Sequence, residues 1–69
     1  MPVITVKMTH EDGGATKEQK EQLAQEMTKV FADIFGRGAS SAVVIIEEVS
    51  TDNYAIGGKT ITQIREKQN

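Results

Sequence analysis

Cysteine and tryptophan are absent from the 69 residues, and histidine and proline occur once each. Without cysteine there is neither a disulfide framework nor a thiolate metal site, and His10 alone cannot build an imidazole cluster. The same absence fits a reducing compartment. Aromatic residues are scarce, with two Phe and one Tyr, so a core has few large side chains to draw on. Basic charge is not in excess: eight Lys plus Arg face ten Asp plus Glu, and their scatter argues against the basic stripe of a nucleic-acid binder. The longest uninterrupted apolar run, Ala42 to Ile46, falls far short of the roughly 20 residues that span a bilayer. The N-terminus also lacks the charged-then-apolar pattern of a signal peptide. These absences predict one domain over residues 1–69, cytoplasmic, with no nucleic-acid partner and no membrane.

Length makes a further demand. A chain this short buries only about 60% of the surface its unfolded form exposes, and one core of that size rarely supplies more than ~3–5 kcal/mol. With disulfides and thiolate metal sites excluded, oligomerisation is the remaining common supplement.

Pro2 to Met8 reads as a strand with Ile4, Val6 and Met8 on one apolar face. A polar loop, His10-Glu11-Asp12-Gly13-Gly14, precedes Thr16-Lys17-Glu18-Gln19, which has the form of a capping box. The spacing of Leu23, Ala24, Met27, Val30, Phe31, Ile34 and Phe35 predicts a helix from Thr16 that buries one stripe, and Gly36 and Gly38 predict its end near Phe35. Ala42-Val43-Val44-Ile45-Ile46 is apolar at successive positions and β-branched from Val43 on, so both faces of a second strand need cover. One helix covers one face, and a partner chain is expected on the other. Strand, helix and strand make a βαβ unit with parallel strands and a right-handed crossover. Beyond Glu48 the sequence predicts a loop, a hairpin or extended arm around Gly57-Gly58, and a polar tail from Gln63 to Asn69. The fold class is therefore α/β (α+β).

Few side chains suit catalysis. His10, Glu11 and Asp12 are loop neighbours that seldom converge on one metal, and no metal is expected. Glu47 and Glu48 point to opposite faces of a strand and read as a strand end meeting solvent. Gly57-Gly58 reads as turn geometry rather than a phosphate cradle. Pro2 is the unusual candidate, because removal of Met1 leaves its secondary amine free. An ordinary α-amino group has a pKa of about 7.7–8.0, and apolar surroundings lower it. Proline at the first residue of a strand also has a purely structural meaning.

The Met-Pro start, the Thr16-x-x-Gln19-Lys20 helix start, Val44-Ile45-Ile46 and Asn53-Tyr54-Ala55-Ile56-Gly57-Gly58 stand in an order that resembles the 4-oxalocrotonate tautomerase family. The Glu11 to Thr16 stretch is similar to its DmpI-type subgroup. The resemblance implies a β-α-β protomer with a short C-terminal hairpin, pairing into a four-stranded sheet and assembling as a hexamer, a trimer of dimers. It implies isomerisation of 2-hydroxymuconate and other unsaturated 2-hydroxy acids to conjugated 2-oxo acids, without a cofactor. Pro2 matches the family's catalytic proline, and Tyr54 matches an aromatic position that keeps the site apolar, while a packing role for Tyr54 stays open.

Two departures from the family are visible. Val43 stands where an arginine usually precedes the second strand, and Ala15 or its neighbours stand where another binds the substrate's far carboxylate. Losing a donor aimed at a developing oxyanion typically costs ~10²–10³ in rate. Arg37, Lys7, Lys17 and backbone N–H groups are the available substitutes. Arg37 is the best side-chain candidate among these for binding substrate, although a helix-terminal arginine bonded to its own carbonyls is the reading its position favours. Two alternatives remain: hydration or dehalogenation by the same amine, and a catalytically silent oligomeric binding module.

Overall fold

In a computed structural model, residues 1–11 and 13–68 are described. The chain runs β1 (Val3–Thr9), α1 (Lys17–Phe35), β2 (Val43–Val49), a 3-10 turn (Thr51–Asn53), β3 (Ala55–Ile56), β4 (Lys59–Thr60) and α2 (Ile61–Gln68). β1 and β2 pair in parallel, from Val3 opposite Val43 to Thr9 opposite Val49. Exposure alternates along both strands up to their last two residues. Ile4, Val6, Val44 and Ile46 are partly covered, whereas Val3, Thr5, Val43 and Ile45 on the other face are exposed.

α1 begins as the capping box requires: Gln19 N–H donates to Thr16 Oγ1 at 3.0 Å and Thr16 N–H donates to Gln19 Oε1 at 2.9 Å. It closes on Gly36, whose N–H donates to the Ala32 carbonyl at 2.8 Å and whose φ of 68° turns the chain out of the helix. The expected apolar stripe is only half covered. Leu23, Ala24, Met27 and Phe31 are partly buried, while Val30, Ile34 and Phe35 are 53%, 70% and 57% exposed. No described residue is fully buried. The radius of gyration is 15.6 Å, against about 11 Å for a compact chain of this length. The surface is 5285 Å², against roughly 4200 Å² expected from its mass.

The C-terminal region corrects one expectation. β3 and β4 form the hairpin, with Gly57 and Gly58 both at positive φ in its two-residue turn. After it, residues from Gln63 onward belong to α2 instead of a polar tail, with Asn69 outside the described residues. A second capping box starts this helix: Gln63 N–H donates to Thr60 Oγ1 at 3.1 Å and Thr60 N–H to Gln63 Oε1 at 2.9 Å. The Thr62 hydroxyl lies 2.5 Å from Asp52 Oδ1 and 2.6 Å from Thr51 Oγ1, tying α2 to the 3-10 turn.

Glu48 is the second correction. Glu47 is 51% exposed beside Lys7, as a strand end in solvent should be, but the Glu48 side chain is only 12% exposed. On the α1 face of β2 it meets Lys20 Nζ at 2.9 Å, His10 Nδ1 at 2.9 Å and the Ala15 N–H at 3.2 Å. Gly14 allows this closure, because a Cβ there would lie 2.8 Å from Glu48 Oε2 and 2.9 Å from His10 Nδ1. The Lys20 ammonium first, and the Ala15 N–H after it, hold the Glu48 carboxyl below its ordinary value.

A carboxyl with a lowered folded-state pKa stabilises the fold above its unfolded value, near 4.5, and that contribution disappears as pH falls through the folded value. Glu48→Gln is therefore expected to lower stability at neutral pH and flatten the loss of stability below pH ~4.5. Chemical denaturation across pH at fixed protein concentration measures both.

Candidate functional site

Parallel pairing gives the sheet two chemically different ends. At the first, Val43 N–H donates to the Pro2 carbonyl at 2.8 Å, which fixes the start of β1 against β2. The loop from α1 to β2 folds over the same place. Ala42 and Ser41 N–H both donate to the Gly38 carbonyl, at 3.0 and 3.3 Å. Gly38 lies so close that a Cβ on it would meet two Phe31 ring carbons at 3.0 Å and Pro2 Cγ at 3.3 Å. Its φ of 92° also requires glycine. Phe31 in turn stacks on Phe35, ring centroids 4.6 Å apart. The Pro2 ring is thus partly covered, with Gly38 and the Phe31 ring beside it.

Arg37 lies between Gly36 and Gly38 on this loop, exposed. No α1 carbonyl or carboxylate among the described residues holds its guanidinium, so the helix-terminal role foreseen for it is not adopted. The structure brings the Arg37 loop to the Pro2 end of the sheet.

Tyr54 is at the opposite end. It borders a cavity of about 320 Å³ with Lys7, Met8, Thr9, Glu11, Ile61 and Arg65. The tyrosine is held by its backbone, since Ile61 N–H donates to the Tyr54 carbonyl at 2.8 Å, and its residue is 41% exposed. Arg65 of α2 donates to Glu11, which also accepts from the Thr9 hydroxyl at 2.5 Å. These two bonds, the Thr9 one contributing more, keep the Glu11 carboxyl below its ordinary value. Pro2 and Tyr54 are therefore separated by the length of the seven-residue β1, roughly 20 Å. One protomer does not bring them together.

Neither Glu11 nor Arg65 stood out in the sequence as a member of this cavity. The signal available was the second Thr-x-x-Gln pattern at Thr60 to Gln63, which starts α2 and so places Arg65 one turn further on. Of the His10, Glu11 and Asp12 loop, His10 turns to Glu48 and Glu11 to Arg65. Asp12 lies outside the described residues.

The fold, a parallel βαβ unit with a hairpin arm beyond it, is matched among known proteins. The family described as "Tautomerase enzyme" matches residues 2–64. The chain belongs to the tautomerase family. A probable tautomerase of Helicobacter pylori strain J99 is 40% identical over 67 residues, covering 97% of this chain and 98% of that protein. The 2-hydroxymuconate tautomerase of Bacillus subtilis strain 168 is 38% identical over 64 residues, covering 93% and 98%. The crystal structure of DmpI from Helicobacter pylori superposes with a TM-score of 0.85 at 37% identity, over 94% of this chain and 97% of that one. A heterohexamer 4-oxalocrotonate tautomerase from Chloroflexus aurantiacus J-10-fl gives 0.78 at 26% identity, over 94% and 100%. Among the described residues, no helix of this tautomerase-family chain is long and apolar enough to cross a membrane.

Gly38→Ala tests how tightly the Pro2 wall is built. The added methyl group meets both Phe31 and Pro2 in a backbone conformation that alanine rarely adopts, a strain of about 1–3 kcal/mol. The variant should unfold at lower denaturant concentration than the parent at equal protein concentration.

Proposed function

We propose that this chain is a tautomerase that converts 2-hydroxymuconate-type 2-hydroxydienoates into conjugated 2-oxo acids in the cytoplasm, with Pro2 as general base. The observation that carries the proposal is the position of Pro2: it directly precedes β1, its ring and the Phe31 ring both flank Gly38, and apolar surroundings of this kind favour a neutral amine. The likeness to the Bacillus subtilis 2-hydroxymuconate tautomerase supports the reaction class.

With Met1 removed, the Pro2 nitrogen becomes a secondary amine whose neutral form accepts the proton of the substrate's 2-hydroxyl. As the C–O bond becomes a carbonyl, the conjugated double bonds shift along the chain. The proton is then delivered from the Pro2 ammonium to a carbon further on, so the reaction is an isomerisation with no net gain or loss of atoms. Arg37, on the loop that covers Pro2, is the side chain assigned to the oxygen on which negative charge develops. Tyr54, contributed by another protomer, lines the apolar part of the same site.

Shared sites require assembly, and the protomer is built for one. Its radius of gyration of 15.6 Å, the bare face of Val3, Val43 and Ile45, and the exposed Ile34 and Phe35 all favour association. We assign it a hexamer made as a trimer of dimers, in keeping with the heterohexamer from Chloroflexus aurantiacus. In that assembly residues 1–69 act as one domain.

Two preparations decide the matter, one with Met1 removed and one retaining it, each verified by intact mass. Processed protein should accelerate ketonisation of 2-hydroxymuconate, followed by ultraviolet absorbance. Pro2→Ala and the Met1-retaining form should lose about 10²–10⁴-fold in kcat. The pH profile of kcat/KM should rise with a pKa below the ordinary 7.7–8.0 of an α-amino group. Equal rates for the processed and Met1-retaining proteins would refute the proposal, and halide release or hydrated product from unsaturated acids would redirect it.

A further inference from the structure

The Tyr54 cavity has a charge pattern that a base at the far end of the sheet leaves unexplained. Tyr54, Ile61 and Met8 give it apolar walls, and its charged groups are Lys7, Arg65 and Glu11, two cations against one anion. Arg65 comes from α2 and Glu11 from the segment after β1, so their ion pair closes the cavity between elements far apart in sequence. A guanidinium presents a planar fork of five N–H donors. Glu11 is bonded to Nη2, and the Arg65 side chain is 53% exposed, so donors remain for a second carboxylate. Lys7 is also accessible, 67% exposed and only 4.0 Å from Glu47 at closest.

β1 pairs with β2 along one edge, and the described residues leave its other edge open. A two-fold axis that joins two copies of this edge into one continuous sheet must run perpendicular to the sheet, which reverses the strand direction. The first residue of one β1 then lies beside the last residues of the other. Pro2 of one protomer is brought to the end where its partner carries Thr9, Tyr54 and Arg65. Pairing through β2 instead would leave three inter-strand spacings, about 14 Å, between the two β1 strands.

We propose that Arg65 is the specificity-determining cation of a composite site whose base is Pro2 of the partner protomer joined through β1, and that it receives the second carboxylate of an unsaturated dicarboxylic acid. The assignment rests on the tautomerase reading of Pro2. Glu11 holds the guanidinium in place in the empty cavity and competes with the incoming carboxylate for it. Arg65 and Glu11 therefore act in opposite directions on dicarboxylate binding, although removing either one breaks the same ion pair.

Processed enzyme is assayed on 2-hydroxymuconate, which has two carboxylates, and on 2-hydroxypenta-2,4-dienoate, which has one. Arg65→Ala should lower the ratio of kcat/KM for the first to that for the second by about tenfold or more, mainly through KM. Arg65→Lys should recover part of the ratio, and Glu11→Gln should raise it above the parent value. An unchanged ratio in Arg65→Ala overturns the assignment. So does a Glu11→Gln ratio that falls together with Arg65→Ala, because a purely structural ion pair gives that result. If the parent turns over both substrates through Pro2 while the ratio fails to move, the Arg65 assignment alone falls. If it turns over neither, the tautomerase reading falls and the assignment with it.

Discussion

β1 and β2 satisfy each other's backbone along a single shared edge, and one helix covers a single face of the pair. Two edges and one apolar face are left over, and the rest of the protomer's design follows from them. On the covered side, Ile4, Val6, Val44 and Ile46 of the sheet and Leu23, Met27 and Phe31 of α1 are all partly buried. The bare face and the exposed turns of α1 hold apolar surface that a monomer of this size does not usually leave in water. In the proposed assembly stability and function have the same requirement, since the contacts that complete the core are also those that bring separate parts of a site together.

Parallel pairing adds a polarity to this. Every strand of the protomer's main sheet starts at the Pro2 end and finishes at the Tyr54 end, so the two ends collect different chemistry. The first end is hydrocarbon around a nitrogen, with Arg37 on the covering loop. The second is a charged cavity closed by α2. In the proposed assembly, a small chain gains a varied site by placing half of it at each end and letting symmetry superpose them. The shortage of catalytic side chains noted from composition is then no obstacle, because the proposed base belongs to the backbone.

Local signals were legible in the sequence and long-range ones were not. Thr16 and Gln19 sit three residues apart and satisfy each other's backbone, so the start of α1 could be read directly, as could its end at Gly36. Thr60 and Gln63 carry the same signal, but the polar composition after Ile61 masked it and a tail was expected where α2 stands. Glu48 could not be read at all. Its partners are Lys20, His10 and Ala15, which only the parallel register and the packing of α1 bring to it. The Pro2 and Tyr54 positions were visible through family resemblance, but their placement at opposite ends of one protomer depends on strand direction and needed the structure. Arg65 was hidden for the same reason as Glu48, since Glu11 reaches it across the fold.

The way Pro2 is anchored has a consequence for maturation. In the parallel ladder it gives a carbonyl to Val43 N–H, and as a proline it has no N–H to give in return. Met1, outside the strand, is 89% exposed. Cleaving the bond between them therefore removes no donor from the sheet and uncovers no packed surface. The same β1 therefore accommodates the chain with or without Met1, so an aminopeptidase acting on this bond need not unfold the chain.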